Sequence, residues 1–116
     1  MRKMIIDTDT ASDDAVAIMM ALNSPDIDVV AITVVGGNVG LEQASINARY
    51  TVELCGHETP VYEGTAVPLL REFYSGQFFH GQDGMGNMYY PAPQRPAEKT
   101  HGVQALIDHI AVSYTH

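Results

Sequence analysis

Between Asp7 and Asp14 the chain reads DTDTASDD, which places four carboxylates (Asp7, Asp9, Asp13 and Asp14) within eight residues. Apolar segments flank this stretch, Met4-Ile5-Ile6 before it and Ala15 to Leu22 after it. Two carboxylates about 4 Å apart repel by about 1 kcal/mol in water and about 4 kcal/mol at an effective dielectric of 20. A helix N-terminus returns only about 0.3–1 kcal/mol per acidic group. Four ionised aspartates at the edge of a core therefore require a counter-charge. The basic residues nearest in sequence, Arg2 and Lys3, sit at the far end of the first apolar run. A hard divalent cation, Ca²⁺ or Mg²⁺, suits an all-oxygen donor set. Taken singly, Asp13 or Asp14 serves as a helix-start residue and Asp7 as a turn former, but capping does not require all of them.

Known cation-loop patterns divide on this stretch. Counted from Asp7 as an EF-hand loop, the fifth ligand position is Ala11, the turn glycine is replaced by Ser12, and the twelfth position is Ile18 instead of Glu, so that reading fails. The DxDx(T/V) pattern of haloacid-dehalogenase-type phosphatases fits Asp7-Thr8-Asp9-Thr10 and misses at Ala11; it leaves Asp13-Asp14 without a role. It stands as the rival on residues alone and predicts an aspartyl-phosphate on Asp7 with Mg²⁺ dependence. Neither Gly36-Gly37-Asn38-Val39-Gly40 nor the Gly84 stretch, which puts Tyr89 at the last glycine position, makes a dinucleotide fingerprint.

The elements that must hold these carboxylates follow from periodicity. Met4-Ile5-Ile6 reads as a buried strand with a polar carboxyl end. From Asp13 or Asp14 to Leu22 the residues Ala15, Ile18, Met19 and Leu22 share a helical face, and Val16, Ala17 and Met20 predict that this helix is largely buried. Ser24-Pro25-Asp26 stops it. Ile27 to Val35 is a β-branched run typical of a strand covered on both faces. A second helix carries Leu41, Ala44, Ala48, Val52 and Cys55 on one side, with Gly56 as its C-cap. Pro60-Val61-Tyr62 reads as a short third strand, and Glu63 to Lys99 as a long loop rich in Gly, Pro and aromatics. Val103, Leu106, Ile107, Ile110, Ala111 and Tyr114 form the stripe of a last helix. The order predicts an α/β fold, a parallel sheet with helices on both faces. Ligands in such sheets sit beyond the carboxyl ends of the strands, where Asp7 and Asp9 fall.

Composition narrows the partners. The chain has 116 residues, the size of one domain, and 46% of them are hydrophobic. Six Lys and Arg against 14 Asp and Glu give a formal net charge of −8, which argues against nucleic acid and anionic membranes. The single cysteine, Cys55, excludes an internal disulfide and fits a reducing compartment. No signal peptide or membrane span is legible, so a cytoplasmic location is the expectation.

The arrangement DxDxxxDDAxA after a first strand closely resembles the inosine–uridine-type nucleoside hydrolase family, whose pattern is DxDPGxDDAxA. Here it runs from Asp7 to Ala17, with Thr10-Ala11 in place of Pro-Gly. The likeness continues through AITVVGGN (Ala31 to Asn38), PVYEG (Pro60 to Gly64), HGQDGMG (His80 to Gly86) and the helix after His101, and so covers the whole chain. The resemblance implies a Rossmann-like nucleoside hydrolase fold. It implies Ca²⁺-dependent hydrolysis of the N-glycosidic bond of ribonucleosides, giving free base and ribose for nucleoside salvage. Asp9 would be a metal ligand and the base that takes a proton from water, and Asp14 a bidentate metal ligand. Asp13 and Asn38 would contact the ribose, His80 would lie near the nucleobase, and Asp7 would support the site. Chemistry agrees: positive charge grows on the sugar in an oxocarbenium-like transition state, and carboxylates stabilise it.

Family members continue well beyond 116 residues and later supply a further metal-binding aspartate, a backbone ligand and, in many members, the acid that protonates the base. The resemblance therefore implies an N-terminal portion of a larger domain, truncated after the third helix, whose full-length form is a homo-oligomer, dimer or tetramer. A non-catalytic fragment retaining the front half of the fold is the third reading. His80 also reads as a loop-bracing residue. Tyr89 and Tyr90 either pack the loop or stack on a base. His57, His101, His109 and His116 lack metal-ligand spacing and read as surface or cap residues.

Overall fold

The computed structural model describes residues 2–66, 84–85 and 90–115. In chain order these build β1 (Arg2–Thr8), α1 (Ser12–Leu22), β2 (Ile27–Val34), α2 (Leu41–Leu54), β3 (Val61–Glu63) and α3 (Gly102–Thr115). The sheet order is β1-β2-β3 and both pairings are parallel. A register shift between Met4 and Ile5 lets β2 bulge opposite β1. Beyond it, Ile6, Asp7 and Thr8 pair with Ile32, Thr33 and Val34.

Alternation along β2 separates the two faces. Ile32 and Val34 enter the main core with Ile18 and Leu22 of α1 and Ala44, Ala48 and Val52 of α2. Thr33 points the other way, toward α3: a Cβ added at Gly102 would lie 3.5 Å from Thr33 Cβ and 3.3 Å from Gly64 Cα. Right-handed crossovers place α1 and α2 together on one face, and α3 covers the second. Each large aliphatic side chain fully buried in the core, Ile18 and Ile32 among them, contributes about 1.5–3 kcal/mol.

Several expectations are corrected in detail. Helix α1 begins one residue early, at Ser12, and it is not buried all round: Val16 is 52% and Met20 is 70% exposed. Its Ala15–Ile18–Leu22 stripe is the buried one, packed against β2 and α2, and the opposite side of the helix is left to solvent. Strand β2 ends at Val34, and its Ile27–Asp28 start is less covered than its end. Strand β3 is shifted one residue on, to Val61–Glu63. The presumed loop before α3 is partly strand-like, since Glu98 bridges Tyr62 and its N–H donates to the Val61 carbonyl at 2.8 Å.

Helix α2 stops as its glycine predicts, with one shift. Cys55 takes the cap position, and Gly56, at φ 73°, makes the left-handed turn that follows. The Gly56 N–H donates to the Glu53 carbonyl and that of His57 to the Val52 carbonyl, the paired bonds of a Schellman ending. Helix α3 turns a different face inward from the one its large side chains suggest. Gly102 and Ala105 are buried, while Val103, Ile107 and Ile110 are about half exposed. Small residues let the helix approach β3 closely, and His109 meets Tyr62 edge-on at 6.2 Å, so it is a packing residue and not merely a surface one. His101 does cap α3: its Nδ1 accepts the Val103 N–H at 3.1 Å.

Candidate functional site

The carboxyl ends of β1 and β2 lie side by side, and the acidic stretch springs from them. Thr8, the last residue of β1, accepts the Val35 N–H on its carbonyl at 2.9 Å, which ties the two exits together. The chain then leaves the sheet through Asp9, Thr10 and Ala11. Thr10 and Ala11 are fully buried, and Ala11 is extended (φ −120°, ψ −166°) as it opens α1. That places Asp13 and Asp14 in the first helical turn, where backbone N–H groups favour negative charge.

The four aspartates do not form one ring. Asp7 faces the second side of the sheet, where the Thr33 hydroxyl donates to its Oδ1 at 2.6 Å. Asp13 is exposed on α1. Asp9 and Asp14 are the pair that come together. The Asn38 backbone N–H donates to Asp9 Oδ2 at 3.0 Å. Gly37 brings that backbone close; a Cβ there would overlap the Asp9 carboxylate and lie 2.7 Å from Asp9 Cβ. Burial, the hydrogen-bonded carboxylate of Asp9 and the charges of Asp9 and Asp13 hold the Asp14 carboxyl above its ordinary value, against a smaller opposing pull from Thr8. Asp14 Oδ2 is a buried oxygen with no hydrogen-bond partner among the described residues. Among the described residues no three His, Cys, Asp or Glu side chains converge as a ready-made metal cluster. The structure thus brings Asp9 and Asp14 together, whereas Asp7 and Asp13 do not join them.

Two hollows open near the acidic stretch, one of them lined by Asp14. One, of about 320 Å³, runs between β1 and α1 and is lined by Asp7, Thr8, Asp14, Ile6 and Ala17 among others. The other, of about 140 Å³, lies under α3 and is lined by Asp7, Thr33, Gly64, Thr65, Gly102 and Leu106 among others. Asp7 borders both. Asn38 lies in the turn that follows β2, where its backbone N–H meets Asp9. His80 and Tyr89 lie outside the described residues, as does His116. Tyr90 stacks on Tyr50 of α2 with ring centroids 4.9 Å apart, which is the packing role.

Residues that spacing did not single out hold the loop. Thr8 and Thr10 pair their hydroxyls at 3.3 Å, Thr33 holds Asp7, and Asn47 of α2 donates to the Thr10 carbonyl at 3.0 Å. The signal for Asn47 is a buried polar residue inside the apolar Ala44–Ala48–Val52 face. For Thr33 it is a hydroxyl in the middle of an aliphatic strand.

Comparison with known proteins agrees with this architecture. The model of the inosine-uridine preferring nucleoside hydrolase family matches residues 4–116. A probable uridine nucleosidase 2 of Arabidopsis thaliana is 42% identical over 111 residues, 92% of this chain and 34% of that protein. The pyrimidine-specific ribonucleoside hydrolase RihB of Escherichia coli is 38% identical over 112 residues, 97% of this chain and 36% of its own. Among solved structures, a purine-preferring ribonucleoside hydrolase from Gardnerella vaginalis superposes with a TM-score of 0.89 at 36% identity, covering 95% of this chain and 36% of that one. A plant nucleoside hydrolase gives 0.88 at 40% identity over the same shares. The chain thus spans about a third of the length of the relatives it matches.

Proposed function

The chain belongs to the inosine-uridine preferring nucleoside hydrolase family, and from that premise we propose that it carries the aspartate-bearing third of a Ca²⁺-dependent ribonucleoside hydrolase site. The observation that carries this reading is the Asp9–Asp14 pair, in which a buried, unpartnered Asp14 oxygen stands beside a second carboxylate. An orphaned anionic oxygen in a desolvated spot costs stability unless a cation completes it. The donor set is all oxygen, which suits Ca²⁺. Asp9 and Asp14 would hold the ion, which when bound lowers the pKa of its water and draws ribose hydroxyls to the site.

This chain's own residues then divide the work. The Asn38 N–H fixes the Asp9 carboxylate through Oδ2, so that Asp9 accepts a proton from the attacking water. As the water oxygen bonds to C1′ of the ribose, the electron pair of the C1′–N bond leaves with the base. Positive charge rises on the sugar in between, and the carboxylates around it favour that state. Asp13 on the first turn of α1 and Asn38 at the end of β2 orient the ribose. Asp7, anchored by Thr33, borders both hollows and supports the floor. His80 would meet the nucleobase. The remaining ligands and the acid for the departing base would come from a segment corresponding to the rest of the relatives' length. The whole enzyme would act as a homo-oligomer in a reducing, cytoplasmic setting.

Calcium titration of the chain by calorimetry tests the reading. Wild type binds Ca²⁺, and Asp9→Asn and Asp14→Asn each abolish binding. In the phosphatase alternative Asp14→Asn matters little and Asp7 becomes phosphorylated with Mg²⁺ present. Phosphate on Asp7, or Ca²⁺ binding indifferent to Asp14, rejects the assignment of a Ca²⁺ site to the Asp9–Asp14 pair.

A further inference from the structure

The peptide joining Thr10 to Ala11 is sealed from water, since both residues are fully buried. Its carbonyl needs a donor, and Asn47 of α2 supplies one from 37 positions along the chain. The other end of the same amide fixes which way it faces: Gln43 Nε2 donates to Asn47 Oδ1 at 2.9 Å, so the Asn47 nitrogen is turned to the loop. Asn47 itself is 5% exposed. Gly84, at φ 73°, closes the same corner, where an added Cβ would fall 2.8 Å from Val39 Cγ1 and 3.6 Å from Ala11 Cα. The carbonyl held in this way belongs to the residue that follows Asp9, and the next residue opens the helix that carries Asp13 and Asp14.

We propose that Asn47 is a positioning residue for the Asp9–Asp14 pair: through Gln43–Asn47–Thr10 it sets the turn between the two carboxylates from the rigid frame of α2. With Thr10-Ala11 in place of proline and glycine, no ring constrains this turn. The Asn47 bond and the Thr8–Thr10 hydroxyl pair hold it instead through hydrogen bonds. Asn47 acts here through the turn and not by contact with ion or substrate. Its importance to function rests on the cation reading of the pair; its mechanical role does not.

The test is amide hydrogen exchange by NMR on the chain, together with Ca²⁺ titration, for Asn47→Ala, the isosteric Asn47→Asp and Gln43→Ala. The Asn38 amide reports on Asp9 and the Ala15 amide on the first turn of α1, through its bond to Ala11. The Gly56 and His57 amides, at the far end of α2, are the reference. In the two Asn47 variants the Asn38 and Ala15 amides should exchange at least about tenfold faster while the reference amides keep their protection. Ca²⁺ should bind about 10–100-fold more weakly, as for other groups that orient a ligand from behind. Gln43→Ala should show the same pattern more weakly. Uniform acceleration, or an unchanged Asn38 amide, overturns the proposal. Should Asn47→Ala fail to fold, Gln43→Ala decides by the same two patterns. Wild type that binds no Ca²⁺ removes the cation reading instead, and the exchange pattern then still decides for or against Asn47.

Discussion

The Asn38 backbone N–H meets Asp9 Oδ2 at 3.0 Å across 29 positions, so the end of β2 grips the first carboxylate of the loop after β1. That grip depends on Gly37, which has no side chain where the Asp9 carboxylate lies. Gly37→Ala should therefore push Asp9 aside, and with Asp9 Cβ only 2.7 Å from the added carbon the loop itself must shift. The expected outcome is Ca²⁺ affinity lowered by about tenfold or more, together with a stability loss of about 1–3 kcal/mol. Calorimetric titration beside urea denaturation checks both; unchanged affinity would show that Asp9 is not constrained from β2.

Thr33→Val probes the other face. It keeps the β-branched shape in a position 2% exposed and removes the hydroxyl that donates to Asp7. Bonds to charged groups contribute about 1.5–3 kcal/mol when buried, but Asp7 is exposed and water can replace the lost donor. A loss of about 1 kcal/mol in urea unfolding is expected. A loss within experimental error would mean that water serves Asp7 as well as Thr33 does.

Asp14→Asn should move two quantities in opposite directions. Without a cation, the Asp14 charge is partly desolvated and stands against Asp9 and Asp13, so neutralising it should leave the metal-free chain at least as stable as wild type, with solvent screening keeping the gain small. The same change removes a ligand and should abolish Ca²⁺ binding. Thermal unfolding with and without Ca²⁺ separates the effects: wild type gains stability from the ion and the variant does not. A variant less stable than wild type without metal would contradict the strain assigned to Asp14.

The sheet and its first two helices were readable because their signals are local. A β-branched run marks β2, an acidic start with small apolar residues marks α1, and Gly56 ends α2 by its own conformational freedom. The inward face of α3 was not readable. Hydropathy favours Val103 and Ile107, whereas close approach to Gly64 and Thr33 selects Gly102, with buried Ala105 along the same side. Which distant groups hold each aspartate was equally hidden. Asp7 is claimed by Thr33 at a separation of 26 positions and Asp9 by Asn38 at 29, and spacing within the acidic stretch carries no trace of either. What spacing did offer was the family pattern, because its residues recur in order along the whole chain.

Glu53 offers a pH-dependent readout away from the site. Near the C-terminus of α2, its two carboxylate oxygens accept the backbone N–H groups of Arg95 (2.9 Å) and Gln94 (3.1 Å). These bonds, that of Arg95 foremost, and the charge of Arg49 lower its pKa. They fasten the segment before α3, which Arg95 also ties down through the Glu58 carbonyl and the Glu98 carboxylate. A carboxylate whose pKa falls on folding binds fewer protons in the native state than in the unfolded one. Its stabilisation is therefore fully present above the unfolded value of 4.5 and fades as pH drops through the lower folded value. Glu53→Gln keeps the shape and removes the charge, so the difference in stability between wild type and variant should be constant near neutral pH and shrink on acidification below about 4.5. Urea midpoints across that range measure it, and the amides of Gln94 and Arg95 should exchange faster in the variant at neutral pH. A difference that grows toward acid would reverse the sign assigned to Glu53 and with it the role of these two bonds.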